Sequence, residues 1–261
     1  MQYARITTNV LDMRAKPGYS PERINQALFD DLVIVSARRD GFVYVRKCDG
    51  YRGWVDERSV APAAGSEQGR IGRVIAKQAR LMPTPAGRTV YPHVLFYGTT
   101  VRLKGQASDG LARIVNPAGG QLLLRSSAIM MTKMRPPRNA RVAAVIKEAI
   151  KFLGVPYLWG GITPCGCDCS GLVQTVFATI GVELPRDTKD QLTIGQQLEP
   201  DLIAAGDLLF FERHVAIAID RYRFIHSSRA SGVVTIESLL PKHAAYRPDL
   251  HAGFAAARRV I

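Results

Sequence analysis

No apolar run in the sequence approaches the roughly 20 residues that a helix needs to cross a bilayer, so no membrane partner is expected. The opening, Met1-Gln2-Tyr3-Ala4-Arg5, lacks the charged-then-apolar layout of a secretion signal. That sets an expectation of a cytoplasmic protein; a secreted one whose leader has been removed would read the same. Cysteine is scarce: there are 4 in 261 residues, and three crowd into Cys165-Gly166-Cys167-Asp168-Cys169. A disulfide framework spreads its cysteines to close long loops, and alternate cysteines are poorly placed to bridge to each other. The crowding points instead to chemistry at one of them. Acidic residues are also short, 22 against 35 Lys and Arg, for a net charge of +13. Such a field favours acidic partners. The basic residues are nevertheless spread along the chain, with no run interleaved with aromatics and no zinc-finger or RNA-platform pattern, so nucleic acid is not expected. Hydrophobic residues at 47% and charged ones at 22% exclude a disordered composition.

The length suffices for two domains or for one plus smaller modules, and three segments emerge. In residues 1–62, Leu32-Val33-Ile34-Val35 and Phe42-Val43-Tyr44-Val45 read as strands, with Asp40-Gly41 as the hairpin signal between them. Gly53-Trp54-Val55 closes the set, and Ala61-Pro62-Ala63-Ala64-Gly65-Ser66 reads as a linker. Residues 67–134 repeat the layout: Met13 and Asp40-Gly41 recur as Met82 and Asp109-Gly110, both 69 positions later, and Arg58-Ser59-Val60 is echoed by Ser126-Ser127-Ala128. Two matched β modules follow, and they resemble bacterial SH3-like barrels. After Arg135-Pro136-Pro137 the pattern becomes helical, with Val142, Val145, Ile146, Ala149 and Leu153 at helix spacing and Gly154 as a stop. Residues 135–261 read as an α+β domain of ordinary size.

A second helix carries Cys169, Leu172, Val173, Val176, Phe177 and Ile180 on one face and ends at Gly181. Asp168 fits its N-cap. Cys169 is then in the first turn, where the partial positive charge of the backbone favours a thiolate. The alternative is a buried structural cysteine. A nucleophilic thiol needs a base, and the base needs an orienting group. There are five histidines. His214 opens the strand-like run Val215-Ala216-Ile217-Ala218-Ile219, and His226 ends Tyr222-Arg223-Phe224-Ile225-His226. With Asp220-Arg221 as a hairpin turn, adjacent antiparallel strands bring the two imidazoles side by side.

Tyr157-Leu158-Trp159-Gly160-Gly161, Asp168-Cys169-Ser170-Gly171-Leu172-Val173 and Leu184-Pro185-Arg186-Asp187 resemble, in order, the NlpC-type cell-wall endopeptidases. Gly206-Asp207-Leu208-Leu209-Phe210-Phe211, His214-Val215-Ala216-Ile217 and Phe224-Ile225-His226 continue the match over roughly residues 140–261. The resemblance implies a papain-like catalytic domain in which Cys169 attacks a peptide carbonyl, His214 is the base and His226 orients it. It also implies an oxyanion contact from the Cys169 backbone N–H and a substrate or oxyanion role for Tyr157, whose other reading is core packing. Two SH3-like modules ahead of such a domain resemble the dipeptidyl-peptidase VI-like enzymes that recycle wall peptides by cutting after γ-D-Glu, before the diamino acid. Those enzymes require a free N-terminal L-Ala. By that resemblance Asp187, with Thr188 and Ser170 beside it, holds the substrate ammonium. Asp187 equally fits a helix N-cap. Tyr51 is the candidate for a tyrosine that walls off the substrate's N-terminal end, its other reading being an exposed loop residue.

No metal or cofactor is expected, and a monomer is. Cys165 and Cys167 depart from the family pattern; they read as small loop residues, with redox-sensitive neighbours of the nucleophile or soft-metal ligands as alternatives. The expected partner is a peptidoglycan-derived peptide, L-Ala-γ-D-Glu-diamino acid. The competing readings are a secreted hydrolase of intact wall whose SH3-like modules bind it, a non-catalytic wall binder, and an acyl transferase of related fold.

Overall fold

A computed structural model describes residues 2–64, 69–83, 91–106, 109–131 and 137–261. Gly65-Ser66 of the linker, Arg135-Pro136, and the expected boundaries at 67 and 134–135 lie outside the described residues. The chain divides into two compact units, Met1–Thr132 and Lys133–Ile261. It combines many β-strands with few helices, and none of the described helices is long and apolar enough to cross a membrane.

The first unit opens with β1 (Gln2–Ile6), β2 (Val10–Arg14), β3 (Arg23–Leu28), β4 (Leu32–Arg39), β5 (Phe42–Lys47), β6 (Arg52–Asp56) and β7 (Val60–Pro62). They form one sheet in the order β3-β2-β6-β5-β4-β1-β7. Inward-facing β-branched residues, including Val33, Val35, Val43, Val45 and Val55, share a core with Ala4, Ile6 and Met13. The β4–β5 turn has Asp40 at φ 53° and Gly41 at φ 77°, the two positive φ values that match a hairpin turn to strand twist.

Then come β8 (Arg70–Val74), β9 (Gln78–Arg80), β10 (Met82–Pro83), β11 (Val94–Phe96), β12 (Thr100–Gln106), β13 (Leu111–Val115), β14 (Gln121–Arg125) and β15 (Ile129–Met131). Their sheet order is β10-β14-β13-β12-β8-β15, beside a β9–β11 pair. This is the order β2-β6-β5-β4-β1-β7 over again, with β9 and β11 paired as β2 and β3 are. Asp109 and Gly110 also have positive φ, 64° and 70°, and single 3-10 turns occupy Glu57–Ser59 and Ser126–Ala128, again 69 residues apart. The sequence repeat is thus a repeat of topology. One equivalence fails: Met13 is fully buried, whereas Met82 is half-buried and its neighbour Leu81 fills the second core.

A turn from the first sheet reaches into the second core, where Phe29 is completely buried. Asp30 beside it, at φ 66°, receives Arg102 on both carboxylate oxygens at 2.6 and 2.9 Å, with Arg5 at 3.2 Å.

The second unit has α1 (Arg138–Ile150), the short β16 (Ile162–Thr163) and β17 (Gly166–Cys167), α2 (Cys169–Thr179), α3 (Thr188–Gln191), β18 (Gln196–Leu198), β19 (Leu208–Phe211), β20 (His214–Ala218), β21 (Arg223–Ser227), β22 (Val234–Ser238), α4 (Pro248–Ala252) and β23 (Phe254–Arg259). The main sheet runs β18-β23-β19-β20-β21-β22, and α2 packs on β20, β21 and α1. One helix expectation needs correction. Leu153 lies beyond α1 and is exposed, while Phe152 is buried, because the chain turns at Gly154 (φ 77°) to hydrogen-bond Val234. All eleven residues of α2 are buried, so that helix has no polar face.

Candidate active site

Asp168 is the N-cap of α2, its Oδ1 accepting the Gly171 N–H at 2.7 Å, which satisfies one of the unpaired donors at a helix start. Its Oδ2 accepts the Gly160 N–H at 2.8 Å. Arg186 donates from Nη1 to Oδ1 at 2.9 Å and from Nη2 to Oδ2 at 2.6 Å, and both side chains are buried. The cap is therefore a charge-paired anchor binding the Trp159-Gly160-Gly161 loop to the helix start. Glycines permit the approach: a Cβ on Gly171 would lie 2.2 Å from the Gly161 carbonyl oxygen.

Cys169 begins α2 and is 7% exposed. Its Sγ lies 3.8 Å from Thr188 Oγ1. Burial, followed by the Asp168 carboxylate, raises its pKa, while hydrogen bonds from Val215, Thr188 and Ser170 act the other way. Burial thus opposes the thiolate that the helix start favours.

His214 begins β20 after Arg213, which has φ 58°. The β20–β21 register pairs Ile217 with Ile225 and Ala218 with Phe224, placing His214 and His226 diagonally on one face. The turn between them is held by Asp220, whose Oδ1 accepts the Tyr222 and Arg223 N–H groups at 2.9 and 2.7 Å. His214 Nε2 lies 2.7 Å from His226 Nδ1. Phe211 packs against His214 and Phe224 against His226. Burial and then the neighbouring His226 push the His214 pKa down to about 3, so the ring is neutral.

Two residues the sequence did not single out complete the row. His226 Nε2 lies 2.8 Å from Glu237 Oε2, which also accepts Arg247 Nη1 at 2.6 Å. Burial opposes ionisation of Glu237, but these hydrogen bonds outweigh it and hold its pKa at about 2. Glu237 and Arg247 carry no local signature, because only the β21–β22 ladder and the chain's return after it bring them to His226.

Cys169, His214 and His226 line one cavity of about 440 Å³, together with Tyr157, Trp159 and Arg229. The Tyr157 phenol is pushed up to about 12 by burial and by Cys169 and Asp168, so it stays a proton donor. Ser170 is buried, and its hydroxyl accepts Arg186 Nη1 at 2.8 Å. Asp187 is the N-cap of α3, and its carboxylate makes no capping bond to that helix. Tyr51 lies in the first unit, where its hydroxyl donates to the Ile24 carbonyl at 3.2 Å. None of the four cysteines forms a disulfide; Cys165 is exposed and Cys167 is buried. Among the described residues no group of three or more His, Cys, Asp or Glu is placed to hold a metal.

A thiol at a helix start, sharing a cavity with a strand-borne histidine pair, is the arrangement of a cysteine peptidase. The NlpC/P60 family matches residues 154–249, and the bacterial dipeptidyl-peptidase SH3 domain matches residues 13–60. The chain is 38% identical over 114 residues to the probable endopeptidase NlpC of Escherichia coli, covering 38% of this chain and 74% of that protein. It is 26% identical over 230 residues to the gamma-D-glutamyl-L-lysine dipeptidyl-peptidase of Bacillus subtilis, covering 82% of this chain and 75% of that one. The crystal structure of an NlpC/P60 family protein from Bacillus cereus shares the fold, with a TM-score of 0.82, 23% identity and 99% coverage of each chain. The chain belongs to the NlpC/P60 family, and it is a cysteine peptidase.

Proposed function

We propose that this peptidase hydrolyses the γ-D-Glu–diamino acid bond of peptidoglycan-derived peptides bearing a free N-terminal L-Ala, and that it does so inside the cell, in wall recycling. The observation that carries the chemistry is the shared cavity of Cys169, His214 and His226, with the two imidazoles 2.7 Å apart. Because Nε2 of His214 is engaged by His226, Nδ1 is the nitrogen that takes the Cys169 proton as the sulfur attacks the carbonyl carbon. The tetrahedral oxyanion is met by the Cys169 N–H at the start of α2 and by the Tyr157 hydroxyl. The His214 imidazolium then protonates the departing amine of the diamino acid. Water, deprotonated by His214, hydrolyses the thioester and frees the thiol.

Specificity for the unblocked end is assigned to Asp187 with Thr188, whose hydroxyl lies 3.8 Å from the Cys169 sulfur. The resemblance to the dipeptidyl-peptidase VI-like enzymes carries this role to Asp187, because a carboxylate that pairs with the substrate ammonium discriminates against a blocked amine. The two repeats of the first unit, residues 1–62 and 67–134, are read as SH3-like barrels, and residues 135–261 as the papain-like catalytic domain. The match to a bacterial dipeptidyl-peptidase SH3 domain and the name of the Bacillus subtilis relative support this reading.

The test uses L-Ala-γ-D-Glu-diaminopimelate and the same peptide with its amine acetylated. Each is incubated with wild type, Cys169→Ala and Asp187→Asn, and the products are read by mass spectrometry. Release of L-Ala-D-Glu from the free peptide only, abolished by Cys169→Ala and weakened by Asp187→Asn, is the expected result. Equal cleavage of both peptides by wild type would replace recycling with hydrolysis of intact wall.

A further inference from the structure

We propose that Glu237 is a positioning residue of the active site: acting through His226, its carboxylate dictates which ring nitrogen of His214 carries the proton and which is free to accept one from Cys169. The proposal rests on reading His214 as the base.

An ionised carboxylate only accepts hydrogen bonds, whereas each nitrogen of a neutral imidazole is either donor or acceptor. The bond made by one ring nitrogen therefore sets the state of the other. Glu237 Oε2 at 2.8 Å requires His226 Nε2 to carry its proton. His226 Nδ1 is then a lone pair, and at 2.7 Å it requires a proton on His214 Nε2. His214 Nδ1 is left unprotonated. Two tautomers are thus decided by one carboxylate two residues away in the row.

Reversal of the row would begin with a protonated Glu237 donating to His226 Nε2. Its surroundings prevent that. Arg247 Nη1 donates to the same Oε2 at 2.6 Å, and the Ser231 hydroxyl donates to Oε1 at 3.2 Å. Arg247 is itself held by Asp249 at 2.7 Å. The charged and titratable groups around the row are thus His214, His226, Arg247 and Asp249, with Cys169, Tyr157, Glu212, Arg213 and Arg229 also lining the cavity, and the carboxylate stays ionised among them. When His214 accepts the thiol proton, the same row supports the imidazolium, because its Nε2–H already points at an acceptor. The device does for a histidine pair what a carboxylate does for a single histidine in a serine triad.

The experiment reads the imidazole tautomers of the substrate-free protein by nitrogen-correlated NMR, in wild type, Glu237→Gln and Glu237→Leu, alongside steady-state kinetics on the free peptide. Expected in wild type are protons on Nε2 of both His214 and His226. Glu237→Gln keeps an acceptor oxygen and should hold both tautomers with a modest loss of rate. Glu237→Leu removes the acceptor; both rings should become tautomer mixtures, and kcat should fall about 100-fold with KM little changed. A wild-type His214 protonated at Nδ1 would overturn the proposal whether or not the variants fold. So would Glu237→Leu with unchanged tautomers and unchanged kcat. Correct tautomers in a protein that leaves the peptide uncut would count against the substrate reading alone.

Discussion

Arg186 lays both terminal guanidinium nitrogens on the two carboxylate oxygens of Asp168, at 2.9 and 2.6 Å, with both side chains almost sealed from solvent. Bidentate geometry is what makes a buried pair worth keeping, since each desolvated charge needs a complete partner. Asp168 in turn fixes the first turn of α2 and so the nucleophile. Arg186→Leu should cost about 3–5 kcal/mol by leaving the carboxylate buried and unpaired, and should abolish peptidase activity. Arg186→Lys cannot reproduce the planar fork and should recover only part of either. Urea unfolding and a peptide-cleavage assay read both effects; a Leu variant as stable as wild type would remove the anchor from the account.

Gly171 sits in the first turn of α2 without a positive φ, so its requirement is space rather than left-handed backbone. An added methyl would meet the Gly161 carbonyl oxygen at 2.2 Å, and one on Gly161 would meet the Gly166 carbonyl oxygen at 2.4 Å. The obstacles are backbone, which side-chain rotation cannot relieve. Gly171→Ala should cost about 1–3 kcal/mol and lower kcat/KM more than that suggests, because the helix start carrying Cys169 must move. Thermal unfolding with parallel kinetics measures the two; an unchanged kcat/KM would show that the loop, not the helix, gives way.

Asp30 joins the two sheets of the first unit through Arg102 and Arg5. The position equivalent to Asp30 in the second repeat, 69 residues on, is Thr99, which instead bonds its own turn at the Phe96 carbonyl. The acid is thus specific to the junction. Asp30→Leu should destabilise the first unit by about 3–5 kcal/mol, leaving two arginines without their shared carboxylate. A lowered urea midpoint reported by Trp54 of that unit is the expected signature, and an unshifted one would mean that Phe29 alone holds the junction.

Much of the site could be read in the chain because its signals are local. A helix cap followed at once by cysteine, and histidines bracketing a tight turn, are set by spacing alone. The burial of α2 on every side was not legible, since its sequence includes the polar Gln174 and Thr175. Both are buried because their side chains reach fixed carbonyls, Gln174 that of Leu184 at 2.9 Å and Thr175 that of Ile162 at 3.1 Å. Glu237 was illegible for the opposite reason: in Thr235-Ile236-Glu237-Ser238 it looks like any strand glutamate. Only its placement beside His226, with Arg247 brought back by the following loop, makes it part of the row. The 69-residue repeat was visible in turn residues such as Asp-Gly, where backbone conformation restricts the choice, and faint in strands, where many apolar residues serve.

The histidine row makes stability depend on pH with a definite sign. His214 is neutral in the folded protein down to about pH 3 but takes up a proton near its ordinary value of 6.5 when unfolded. Between those values the unfolded chain binds more protons, so stability rises with pH and is lost as pH falls. Glu237 adds the same sign lower down: its folded value of about 2, against 4.5, gives stability that is present above the unfolded value and lost as pH falls through the folded one. Acidification from neutrality should therefore lower Tm in two overlapping stretches, the first between about pH 6.5 and 3 from His214 and the second between about pH 4.5 and 2 from Glu237. His214→Gln has nothing to protonate yet retains an amide donor for His226 Nδ1, and should flatten the first stretch while leaving the second. Scanning calorimetry of both proteins across that range decides the matter. Parallel curves would place the acid sensitivity elsewhere and would mean that His214 binds its proton alike in the folded and unfolded chain.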